Sequence, residues 1–120
     1  MAVGTCREYG SEVAATLARM FDQLGGLEGL VRGKTVAVKL NLTGDATDRL
    51  GYLPAEITHW VHPQVVGATV QLLGQAGARR IRIVESPTAS SVRTIQEFIA
   101  PANWKPGDFI SAASVVELDA

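Results

Sequence analysis

The run Val36-Ala37-Val38-Lys39-Leu40-Asn41 constrains this chain more than any other stretch. Thr35 to Leu40 is rich in β-branched residues and apolar at nearly every position. That pattern predicts a parallel strand covered on both faces. A buried strand normally ends in turn chemistry. This one ends in a cation and an amide, followed by a long polar stretch, so it brings hydrogen-bonding and charged groups to one rim of a sheet.

The flanking segments supply the rest of the fold. Residues 2–6 suggest the remnant of a short strand. Ser11 can cap a helix whose apolar face is Val13, Leu17, Met20, Phe21 and Leu24, and Gly25-Gly26 can end it. Residues 41–61 show no periodicity and read as a long loop, of a kind that is usually functional or mobile. His62-Pro63 opens a second helix, with proline suited to its first position. Val66, Val70 and Leu73 mark its buried face, and Gly77 closes it. Arg80 to Glu85 is the next strand, broken by Ser86-Pro87. Ser90 or Ser91 can cap a third helix, with Val92, Ile95, Phe98 and Ile99 on one face and Pro101 as its stop. Ser114 to Leu118 is a last strand ending in Asp119. This order predicts a single α/β domain over residues 1–120, a three-layer Rossmann-like arrangement around a small, mainly parallel sheet of three to four strands.

Composition narrows the function classes. A net charge of −1 without a Lys/Arg run argues against nucleic acid or an acidic membrane as partner. No apolar run approaches the length of a membrane span, and the N-terminus carries Arg7 and Glu8 in place of a signal peptide's apolar core. The chain as given therefore reads as cytoplasmic. Its one cysteine, Cys6, can form neither an internal disulfide nor a cysteine-rich metal site.

In open parallel sheets, ligands bind beyond the carboxyl ends of the strands. Lys39, Asn41, Glu85, Ser86 and Asp119 lie at those ends, and His59 and His62 precede the second helix. Lys39, Asn41, Glu85 and Ser86 form a candidate site for a small anionic ligand. Lys39, His62 and His59 are the candidates for electrostatic and acid–base work. Each has a plainer reading. Lys39 could snorkel from a strand end. Glu85 could pair with Arg79 or Arg80. His62 could cap its helix, and His59 could pack on Trp60. The two histidines could instead share a divalent metal, with Asp45, Asp48 or Glu56 completing the ligands. The segment from Gly29 to Thr35 imitates a P-loop, but it is one residue short and its lysine enters a strand where a P-loop lysine enters a helix.

Four elements in order carry a family resemblance: Leu24-Gly25-Gly26-Leu27, Val36 to Asn41, His62-Pro63-Gln64-Val65-Val66, and Leu73 to Ile81 with its Ala76-Gly77-Ala78 turn. Together they resemble the family called domain of unknown function 362, over residues 1–90. Leu40 stands where that family typically has proline, and Val61 stands before His-Pro. The resemblance implies an N-terminal portion of a longer domain. It also implies a redox-associated setting, because many members carry cysteine-rich iron–sulfur segments. Cys6 alone cannot hold such a cluster. Two function classes follow: a domain that binds a small anion at the sheet rim, with or without a metal, and a non-catalytic module or half-domain within a larger assembly. Three strands under three helices would leave a sheet edge and an apolar face open, so a homo-oligomer or association with another chain is expected.

Overall fold

The computed structural model describes residues 1–42, 51, 53–85 and 99–100, and the backbone of 116–119. The elements are α1 (Ser11–Gln23), α2 (Glu28–Val31), β1 (Thr35–Lys39), α3 (Ala55–Thr58), α4 (Pro63–Gln75), β2 (Arg80–Val84) and β3 (Val116–Asp119). The strands pair in parallel in the order β1-β2-β3, with Lys39 opposite Val84 and Val84 opposite Asp119.

The core forms where α4 lies on one face of the sheet. Val66, Val70 and Leu73 of α4 meet Ile81 and Ile83 of β2, with Leu40, Leu42, Trp60 and Ile99 in the same cluster. Ile83 and Val70 are wholly buried. The turn after α4 closes as expected. Gly77 takes a left-handed φ of 91°, and the Ala78 N–H donates to the Leu73 carbonyl at 3.1 Å. A side chain at Gly77 would also press on Arg32, whose Cγ lies 3.4 Å from where its Cβ would stand.

The three-layer Rossmann-like expectation is overturned. The described sheet is small and open, and α1 packs on α4. The strands advance in one direction without the order reversal that makes the crevice of a doubly wound sheet. The error lay in the strand pattern. Val36 and Val38 are half-buried beside the core, but Thr35, Ala37 and Lys39 of β1 are exposed. In register with them on β2 stand Arg80, Arg82 and Val84. This second face is mixed and polar, not the apolar surface expected. Alanine and threonine suit an exposed strand face as well as a buried one, which is why the run looked apolar throughout.

Smaller differences have local causes. Residues 2–6 form no strand. Ser11 is the first helical residue of α1, and Gly10 takes the cap position without a side-chain bond. The expected loop over 41–61 holds α3 and an antiparallel bridge between Leu42 and Trp60. The third expected helix, apart from Ile99 and Ala100, lies outside the described residues, as does Ser86.

Candidate functional site

Lys39 ends β1 and Glu85 directly follows β2, so the ladder places opposite charges at adjacent strand ends. The Lys39 ammonium donates to Glu85 Oε1 at 2.5 Å and to the Leu40 carbonyl at 2.5 Å. The second carboxylate oxygen of Glu85 accepts the Leu42 N–H at 2.9 Å. Glu85 thus staples the chain leaving β1 to the end of β2. The two partners differ in environment: the Glu85 side chain is 5% exposed and that of Lys39 63%. Burying a carboxylate costs free energy unless it is paired and hydrogen-bonded, and here it is both. Pairing with Arg79 or Arg80 was the plainer alternative for Glu85; an ion pair to Lys39 is what the strand ends form.

Beside the pair lies a cleft of about 240 Å³. Lys39 and Asn41 supply its polar lining, together with Thr69. Val38, Leu40, Val61, Val65 and Val66 supply apolar walls. The Asn41 carbonyl accepts the Val61 N–H at 3.0 Å, which ties the returning chain to the strand exit. The backbone of Asp119 reaches the same rim through its pairing with Val84.

The histidines are engaged structurally. The N-cap of α4 is His62, whose Nδ1 accepts the Gln64 N–H at 3.1 Å, and whose carbonyl accepts the Val65 N–H at 3.0 Å. The imidazole also stacks on Tyr9, with ring centroids 3.7 Å apart and planes 2° from parallel. Burial lowers the His62 pKa from its ordinary value, while the charge of Glu56 opposes that shift. A neutral ring is what an accepting Nδ1 requires. At the end of α3, His59 Nδ1 lies 2.7 Å from the Thr58 hydroxyl, and the ring meets Trp60 edge-on at 6.2 Å.

Two consequences bear on what this rim can bind. The first N–H groups of α4 are taken by its own cap, so this helix end does not offer them to an anion. Among the described residues, no group of three or more His, Cys, Asp or Glu side chains is placed to hold a metal ion. Sequence reasoning missed the Leu42 N–H bond to Glu85 and the Tyr9 stack on His62. Opposite charges at the ends of adjacent strands were a readable signal for the Lys39–Glu85 pair; nothing in the sequence marked the Leu42 bond or the Tyr9 stack.

Comparison of the chain with protein-family models, with curated proteins and with solved structures finds no match. Among the described residues, no helix is long and apolar enough to cross a membrane.

Proposed function

We propose that the cleft beside Lys39 binds a small carboxylate-bearing molecule with a short apolar body. One observation carries this reading: the ammonium of Lys39 is held on its inner side by two acceptors while most of its side chain faces solvent. A lysine ammonium has three N–H donors, and the third is left for a ligand. The two internal bonds also fix the ammonium before the ligand arrives, which lowers the ordering cost of binding. Glu85 offsets most of the local positive charge. A singly charged carboxylate therefore suits the site better than a phosphate dianion. The valine and leucine walls of the cleft suit a short aliphatic or aromatic body. The proposal is one of binding, with Lys39 as the anchor and Asn41 as a lining group.

The test is a thermal-shift series with phosphate, acetate, and aliphatic and aromatic monocarboxylates. Ligands that bind only the folded state raise the melting temperature. Monocarboxylates with apolar bodies should raise it more than acetate or phosphate. No shift with any of them would overturn the reading.

A second reading, a non-catalytic module acting within an assembly, is favoured by the outer edge of β1, which pairs with no other strand among the described residues.

A further inference from the structure

We propose that the outer edge of β1 pairs, antiparallel and about a two-fold axis at Ala37, with the same strand of a second copy of this chain. The proposal is independent of ligand binding at the cleft. Among the described residues, in the order β1-β2-β3, β1 is an edge strand. The Leu40 N–H donates to Val84 O and the Lys34 carbonyl accepts the Arg79 N–H, so the even-numbered residues of this stretch bond inward to β2. By alternation, the N–H and C=O groups of Thr35, Ala37 and Lys39 point away from β2. These three residues are exposed.

Edge strands are usually blunted by proline, a bulge, charged side chains along the strand or a covering segment, and β1 carries a single charge, Lys39, at its very end. Residues 35–39 contain no proline, and the β1–β2 register runs without a bulge. The one charge on the strand, Lys39, is already paired with Glu85. An unblunted edge is a template for strand addition.

The choice of a second copy rests on self-complementarity. Pairing about Ala37 sets Ala37 opposite Ala37 of the second copy, and Thr35 opposite Lys39. These are the residues whose backbone groups face outward, so each such pair exchanges both ladder hydrogen bonds. Val36 then stands opposite Val38, a β-branched pair of the kind that stabilises sheets. Small meets small at the axis, and no like charges are directly opposed. The two Lys39 residues lie about 14 Å apart along the strands, beyond the screening length of about 8 Å at physiological salt. The product is a continuous sheet through two copies, an isologous contact that closes on itself. The paired strand is short, and its interface falls below the roughly 1,000 Å² of a stable complex. The dimer is therefore weak and exchanging.

The experiment is static light scattering from micromolar to submillimolar concentration, on the wild type, Ala37→Lys and Ala37→Glu. The position-37 side chain is exposed, so both variants should melt near the wild type. The wild type should show a mass that rises with concentration towards that of a dimer. Each variant alone should remain monomeric, because like charges face each other at the axis. An equimolar mixture of the two variants should regain the dimer. A wild type that stays monomeric throughout would overturn the proposal, and so would variants that dimerise alone as readily as the wild type. Amide exchange provides the second readout. Protection of the Ala37 N–H should grow with concentration, and an exchange rate independent of concentration would contradict the pairing.

Discussion

The exit of β1 and the entrance of α4 each hold polar side chains that looked suited to chemistry, but they use them differently. At the strand exit, charge is retained. Glu85 is buried and bonded twice, and it braces a lysine that still faces water. At the helix entrance, burial lowers the pKa of His62, and its Nδ1 is engaged in capping α4. A polar side chain is available for function only where its structural bonds leave a donor or acceptor over. Lys39 meets that condition through its third N–H. His62 spends Nδ1 on its cap and, with that nitrogen accepting, keeps only an uncharged Nε2–H, so it offers an anion no cation.

This contrast can be broken by substitution. The largest effect should come from Glu85→Ala, which strips the Leu42 N–H and the Lys39 ammonium of an acceptor together. Leaving a buried donor unsatisfied and a pair broken should cost about 2–4 kcal/mol in urea unfolding. A loss smaller than that of His62→Ala would reverse the ranking of the two regions. Lys39→Met should cost about 1–2 kcal/mol, reduced from the buried-pair figure because the lysine is largely exposed. In the Lys39→Met/Glu85→Gln double variant, the loss should fall well short of the sum of the single losses. Additivity would show that the ion pair is not coupled.

At the helix entrance, His62→Ala should cost about 1 kcal/mol through the lost cap, and His62→Asn should restore most of it. The pH response sharpens the comparison. The folded-state pKa of His62 lies below the unfolded value of 6.5, so the unfolded chain binds the proton more readily. The contribution of His62 is therefore full above that value and declines as pH falls through the lowered pKa. The slope of stability against pH in this window should be shallower in His62→Asn. An unchanged slope would remove His62 as its source. The smallest effect should be Tyr9→Ala, about 0.5 kcal/mol for the lost ring stack.

Much of the secondary structure was legible because its signals are local. Pro63 at the first helical position, glycines at left-handed turns and the apolar stripe of Val66, Val70 and Leu73 all act within a few residues. The layer arrangement was not legible. Whether Thr35 and Ala37 face a helix or water depends on where α1 docks, and docking is a tertiary property. At the site, Lys39 and Glu85 were identified as rim residues, but their mutual pairing follows from strand register. The alternative roles of the histidines, capping for His62 and packing on Trp60 for His59, are the ones the structure shows. Choosing between these roles and metal ligation required knowing what stood within reach of each ring.

Calorimetric titration of an apolar-bodied monocarboxylate into the wild type, His62→Asn and the Lys39→Met/Glu85→Gln variant tests the central claim most directly. The double substitution removes the anchoring ammonium without leaving a buried carboxylate unpaired, so lost binding cannot be blamed on a stranded charge. The account predicts saturable binding to the wild type and to His62→Asn, and none to the double variant. Equal binding by the double variant, or no saturable heat with the wild type, would contradict it.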